Sequence, residues 1–208
     1  MTTLWLIRHG ETDWNVTGRL QGQLEVPLNA HGRRQAKQLA VRLGKEHAAA
    51  SFAALFTSDL GRAQETAAEA SAVLGMPATP LVALRERNFG VLSEFTLPEA
   101  AVKHPELFAR LRARDVDFVP EGGESLAQTS ARALRVLRQL AQQWPGTHVL
   151  VVTHGGVIDA AWRAAQKQPL SVRREHELLN ASINRVTVEQ EQFALAGWGD
   201  VAHLDPGG

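Results

Sequence analysis

The stretch "LWLIRHGETDWN", residues 4–15, starts as one kind of chain and ends as another. Leu4, Trp5, Leu6 and Ile7 form an apolar run without alternation, the pattern of a strand covered on both faces in a parallel sheet. Arg8, His9, Gly10 and Glu11 follow at once, so the strand delivers an arginine and a histidine at its carboxyl end. The same design recurs in "HVLVVTHGG", residues 148–156, where Val149 to Val152 are wholly apolar and the run ends in Thr153, His154 and Gly155.

Strand-like and helix-like patterns alternate around these two runs. In residues 29–47, Ala36, Leu39, Ala40 and Leu43 recur at helical spacing among charged residues. "FAALFTS" (52–58) reads as a short strand, and residues 59–75 read as an alanine-rich helix that stops near Gly75 and Pro77. Residues 123–146 carry a capping box, Ser125 with Gln128, ahead of a stripe of Leu126, Ala133, Leu137, Leu140 and Trp144, with Pro145 and Gly146 as the stop. Ile183, Val186 and Val188, then Phe193 and Leu195, predict two further strands around the polar turn 189–192. The tail "HLDPGG" is expected to fray. Alternating β and α units with strands apolar throughout imply a three-layer α/β/α sandwich with a mostly parallel central sheet.

The 208 residues, with 22 basic against 22 acidic side chains and 44% hydrophobic content, suffice for one domain, 1–208, with at most a small inserted cap. Balanced charge argues against a general nucleic-acid or anionic-membrane binder. With no cysteine there are no disulfides and no thiolate-ligated metals. The amino terminus lacks the basic start and long apolar core of a signal peptide, and no run approaches membrane-spanning length, so a soluble cytoplasmic protein is expected. Oligomeric state stays open, a homodimer being one option.

In parallel sheets ligands sit beyond the carboxyl ends of the strands. If the two His-Gly strands are neighbours, about 4.8 Å apart, His9 and His154 face one site. A lone histidine of this kind is more often a core residue satisfied by a carbonyl; the matching pair is what points to a site. Arg62, in the first turn of the 59–75 helix, opposes the helix dipole, a conflict that a bound anion resolves.

"LIRHGETDWN", "GRLQGQLEVPLNAHGRRQA", "TSDLGRAQET", "LRERNFG", "PEGGES" and "VVTHGG" together, in this order, resemble the histidine phosphatase superfamily, also called phosphoglycerate mutase-like. Arg-His-Gly alone is weak, whereas several dispersed motifs in order are specific. The resemblance implies a phosphoglycerate mutase-like fold, His9 as nucleophile, and Arg8, Arg62 and His154 completing a phosphate pocket. It further implies Glu86 as proton donor, Asn15, Gln21 and Gly155 as substrate contacts, and neither metal nor cofactor. The partner is then a small phosphorylated metabolite.

The chemistry suits those residue types. Phosphoryl transfer needs charge stabilisation on three equatorial oxygens, and guanidinium gives paired, permanent hydrogen bonds to them. Neutral imidazole is a competent nucleophile when one nitrogen is held as a donor, here expected against a carbonyl near Gly10. Read from the residues alone, Glu86 is a salt-bridged surface glutamate. With the resemblance it is the acid, worth about 10²–10⁴-fold in rate. Alternation along "RERNFG" directs Arg85 and Arg87 away from the site, and Arg110, Arg112 and Arg114 read as a solvated basic surface. Trp14, Phe89, Phe95 and Phe108 are either site mouth or cap core.

The reading is a metal-independent phosphatase acting through phosphohistidine, with residues 88–120 as a cap or rim. The alternative enzyme is a cofactor-dependent phosphoglycerate mutase, which keeps the phosphoryl group. Such mutases carry a longer insertion at 88–120, and their substrate-binding lysine falls near Leu97 here; "GVLSEFT" also has Ser93 and Glu94 where many relatives have Glu-Gly. A non-catalytic phosphate-binding module would carry the same arginines. A metallohydrolase using His9 and His154 is disfavoured because Arg8 and Arg62 repel a cation.

Overall fold

The computed structural model describes residues 1–204; of the tail expected to fray, residues 205–208 lie outside the described residues. In chain order the elements are β1 (Thr2–Arg8), α1 (Asp13–Val16), α2 (Ala30–Ala50), β2 (Phe52–Thr57), α3 (Gly61–Leu74), β3 (Ala78–Pro80), α4 (Leu97–Lys103), α5 (Pro105–Arg112), α6 (Leu126–Gln143), β4 (His148–Thr153), α7 (Gly155–Gln166), β5 (Ile183–Glu189) and β6 (Gln192–Asp200). One six-stranded sheet has the order β3-β2-β4-β1-β5-β6. Its first four strands are parallel, β5 runs antiparallel to β1, and β6 runs antiparallel to β5.

The unalternated runs are buried on both faces. On β1, Leu4 and Leu6 enter one core with Val149 and Val151 of β4, while Trp5 and Ile7 enter the other with Leu150 and Val152. The first core is closed by α6 and α7 through residues such as Leu137 and Ile158. The second is closed by α2 and α3 through Leu39, Leu43, Ala63 and Ala67. These are the three layers expected from the alternating pattern. Leu137 has no solvent exposure, and truncating such a leucine to alanine costs about 2–5 kcal/mol.

Helix ends follow their caps. Ser125 and Gln128 form the reciprocal capping box of α6, and Asn29 caps α2 by accepting from the Gly32 amide at 2.7 Å. The β5–β6 hairpin turns at Gln190 and Glu191, both with positive φ. The helix α7 and the short edge strand β3 go beyond the sequence reading: α7 opens on two glycines with no side-chain cap, and β3 is only three residues long.

Residues 88–120 pair little with the sheet. They hold α4 and α5 around a small cluster of Leu92, Ala100 and Phe118, joined by Phe89, Phe95 and Phe108. Among the described residues no helix is long and apolar enough to cross a membrane.

Candidate active site

The register of the two central strands creates the site. Arg8 pairs with Thr153, so His9 and His154 leave adjacent parallel strands side by side, and the His9 amide still donates to the Thr153 carbonyl at 3.0 Å. Their ring centroids are 5.1 Å apart and inclined by 56°, and both side chains are buried.

The His9 ring is oriented by its neighbour. Nδ1 lies 2.7 Å from the Gly10 carbonyl oxygen, which makes Nδ1 the protonated nitrogen and leaves Nε2 with the lone pair. Four further contacts fix this loop. The Gly10 amide donates to the Thr66 hydroxyl at 3.0 Å, and that hydroxyl donates to the Arg62 carbonyl at 2.8 Å. Asn180 Nδ2 donates to the His9 carbonyl at 2.9 Å and to Asn15 Oδ1 at 3.2 Å. Room beside Gly10 is taken by protein rather than by a ligand: a Cβ there would lie 2.5 Å from the Gly32 carbonyl oxygen.

Burial pushes both imidazoles well below the ordinary histidine value, and the charges of Arg62 and Arg8 push further. His9 is therefore neutral, as a nucleophile must be. Neither ring nitrogen of His154 has a hydrogen-bond partner.

A cavity of 340 Å³ opens over these residues, with Arg8, His9, Asn15, Gln21, Arg62 and Glu86 in its wall. Arg62, at the start of α3, is held by the Leu24 carbonyl at 2.9 Å and the Gly22 carbonyl at 2.7 Å, and Arg8 by the Leu178 carbonyl. In both guanidiniums Nε is buried without an acceptor. Unused donors on two buried cations leave an unmet demand for an anion. Burial pushes Arg8 down to about 10, opposed by Glu86, so it stays charged at neutral pH.

Glu86 lies across the cavity against the start of α7. Its carboxylate accepts from the Gly156 amide at 3.0 Å and from the Arg87 amide at 2.7 Å, supplying the cap that α7 lacks. At Gly156 a Cβ would sit 2.1 Å from Glu86 Oε1, so a side chain there displaces the carboxylate; at Gly155 the corresponding distance to Glu86 is 3.7 Å. Behind Glu86, Arg132 donates to the Glu86 carbonyl at 3.3 Å and pairs with Glu124 at 2.8 Å.

Every sequence candidate, Arg8, His9, Asn15, Gln21, Arg62, Glu86 and Gly155, lines this cavity, and His154 lies enclosed behind it. Two expectations need correction. Arg85 does turn away, pairing with Asp59 at 2.7 Å, but Arg87 is buried in the wall, because its guanidinium donates to the Glu124 carbonyl at 2.9 Å. Arg114 is also in the wall rather than on a solvated face: its backbone leaves the helix with φ of 52° and its Nε donates to the Leu170 carbonyl at 2.8 Å. Asn180, Gly156 and Asp159 escaped the sequence reading; only the doubled glycine of "THGG" carried a signal. Of the aromatics, Phe89 lines the cavity while Phe95 and Phe108 fill the cap cluster. Leu97 opens α4, outside the wall. Among the described residues no cluster of three His, Asp or Glu could hold a metal ion.

A model of the histidine phosphatase superfamily (branch 1) matches residues 4–201. A metal-independent phosphoserine phosphatase of Arabidopsis thaliana is 39% identical over 206 residues, 98% of this chain and 84% of that one. Phosphoglycerate mutase-like protein 4 of the same plant is 36% identical over 98% of this chain and 87% of its own. Among solved structures, Bacillus stearothermophilus YhfR superposes with a TM-score of 0.87 at 34% identity, over 98% of this chain and 99% of that one.

Proposed function

The chain belongs to the histidine phosphatase superfamily and is a phosphomonoester hydrolase, and we propose that it works through a phosphohistidine on His9. One observation carries this reading: His9 Nδ1 is tied to the Gly10 carbonyl, which aims a neutral Nε2 at a cavity where Arg8 and Arg62 each keep an unused buried donor.

The phosphate of a small monoester binds between Arg8 and Arg62, with Asn15 and Gln21 beside it. Nε2 of His9 attacks phosphorus as the bond to the leaving oxygen breaks, and Glu86 gives its proton to that oxygen. Water then attacks the phosphohistidine, Glu86 takes the water proton, and the N–P electron pair returns to His9. Arg8, Arg62 and a His154 made cationic by the bound phosphate stabilise the equatorial oxygens, supplying the positive charge that a metal supplies elsewhere. Residues 1–208 act as one catalytic unit, with 88–120 as the rim.

Brief mixing with a ³²P-labelled monoester, followed by alkaline quench, is expected to trap acid-labile phosphate on the wild-type protein and none on His9→Ala. Chasing the trapped enzyme with water or with 3-phosphoglycerate separates hydrolase from mutase: release of inorganic phosphate in both arms is the expected outcome. Transfer to 3-phosphoglycerate would establish the mutase, and turnover without label on His9 would overturn the mechanism.

A further inference from the structure

Glu86 reaches the cavity on a stretch of chain with no regular structure of its own. Between short 3₁₀ turns at Val82–Leu84 and Gly90–Leu92, residues 85–89 form neither helix nor strand, so their backbone groups need partners from elsewhere. One side chain on α6 supplies most of them. Arg132 Nη1 donates to the Ala83 carbonyl at 2.9 Å and the Arg85 carbonyl at 2.8 Å, and Nη2 donates to the Glu86 carbonyl at 3.3 Å. Its Nε and Nη2 also donate to the two carboxylate oxygens of Glu124, at 3.0 and 2.8 Å. These contacts use every N–H donor that a guanidinium has.

Glu124 carries the hold past Glu86. Its carboxylate accepts from the Asn88 amide at 3.0 Å and from Gln23 at 3.4 Å, while Gln23 also donates to the Glu86 carbonyl at 3.0 Å. The Glu124 amide donates to the Asn88 carbonyl at 2.8 Å. The ion pair therefore grips the chain on both sides of Glu86, Arg132 at residues 83–86 and Glu124 at residue 88.

Neither partner faces substrate. Leu126 and Thr129 are the α6 residues in the cavity wall, and Arg132 and Glu124 lie outside it. The donor count separates this arginine from those of the phosphate pocket. Arg8 and Arg62 each keep a buried Nε without an acceptor, as an anion site requires, whereas Arg132 has no donor left to offer. Its work is mechanical. A general acid acts only within hydrogen-bond reach of the leaving oxygen, and the Glu86 carboxylate is itself held by just two amides, those of Arg87 and Gly156.

We propose that Arg132, locked by Glu124, is a positioning residue for the acid: it fixes the backbone that carries Glu86 so that the carboxylate meets the leaving oxygen. This rests on the reading of Glu86 as proton donor and adds the part that aims it. A lysine cannot do the same, because three carbonyls and a carboxylate in different directions need the planar fork of a guanidinium.

A double-mutant cycle of Arg132→Met with Glu86→Gln, read as kcat/KM on an alkyl and an aryl phosphomonoester, isolates the coupling. That parameter covers phosphorylation of His9 and leaves out the later attack of water. Arg132→Met is expected to lower the alkyl value by about 10–100-fold, the effect of a misplacement near 1 Å, and the aryl value by less than about threefold, since a phenolate leaves without a proton. In the Glu86→Gln background the same change is expected to cost less than about threefold on either substrate, because the group it aims is gone. Arg132→Lys keeps the cation and is expected to fall between wild type and Arg132→Met; the same cycle run on it reports the coupling even if the methionine variant does not fold. Losses of equal size in both backgrounds, or no loss in either variant, overturn the proposal. Equal alkyl and aryl losses in Glu86→Gln, with the coupling to Arg132 intact, would instead remove the acid role and leave the positioning role standing.

Discussion

At the floor of the cavity Arg8, His9, Arg62 and His154 hang from the ends of β1 and β4 and the start of α3; at the rim, Arg114 and Arg174 hang from loops, and Arg114 meets the body through the Leu170 carbonyl and an ion pair with Asp159. Arg8, His9 and Arg62 are fixed twice, by the strand or helix end that carries them and by side-chain hydrogen bonds to backbone carbonyls, and His154 is fixed by complete burial at the end of β4. Rim residues are fixed once. A change at the floor should therefore remove chemistry whatever the substrate, whereas a change at the rim should sort substrates and leave the fold alone.

The largest break is at His9. His9→Ala is expected to lower hydrolysis of an aryl phosphate by at least about 10⁴-fold, the scale seen when a nucleophile is removed, while inorganic phosphate still binds through Arg8 and Arg62. Residual activity within a hundredfold of wild type would move the nucleophile elsewhere. Next comes Glu86→Gln, expected to cost about 10²–10⁴-fold. The loss should be steeper for alkyl than for aryl monoesters, because a phenolate leaves without needing a proton. Equal losses on both would make Glu86 a positioning group.

Two glycines sharpen the contrast between chemistry and scaffold. A methyl at Gly156 meets a side chain, the Glu86 carboxylate at 2.1 Å, whereas a methyl at Gly10 meets backbone, the Gly32 carbonyl at 2.5 Å. Gly156→Ala should thus displace the acid and cost up to about 10²-fold in kcat, the effect of a misplacement near 1 Å, with Tm nearly unchanged. Gly10→Ala should instead lower stability by about 1–3 kcal/mol. Thermal unfolding and kinetics on the same two variants check this; a reversal of the two phenotypes would break the distinction.

The floor was legible in the sequence and the rim was not, for a physical reason. A strand buried on both faces writes itself as an unbroken apolar run, and Leu4–Ile7 and Val149–Val152 did so, each ending in histidine. Order of motifs then brought in Arg62 and Glu86. Arg87 and Arg114 are aimed by backbone torsions outside regular structure, so counting along a strand or around a helix puts them on the wrong side. Asn180 clamps the His9 loop from 171 residues away, a contact no local pattern encodes. For α7 the two opening glycines hid an otherwise amphipathic helix whose cap is the carboxylate of Glu86.

The mildest effect expected at the floor is on stability, and its sign follows from burial. In the folded protein burial holds His9 and His154 well below the ordinary 6.5. Above that value neither state binds a proton at these rings and they contribute no pH dependence. As pH falls below about 6.5 the unfolded chain protonates them and the native chain does not, so stability should drop by up to about 1.4 kcal/mol per pH unit for each ring. The loss continues until the depressed folded values are reached. His176 and His203 are shifted in the same direction and add to the slope. Carboxylates held low by arginine, such as Asp59 beside Arg85, act in a separate window below about 3.8. Urea unfolding of wild type and His154→Asn at pH 7.5 and 5.5 should give a smaller pH difference for the variant. The buffer must be free of phosphate, because an anion between Arg8 and Arg62 offsets the charges that keep the rings neutral and hides the effect. Identical slopes would mean that His154 is protonated in the native protein, and the neutral, pre-aimed pair at the strand ends would have to be abandoned.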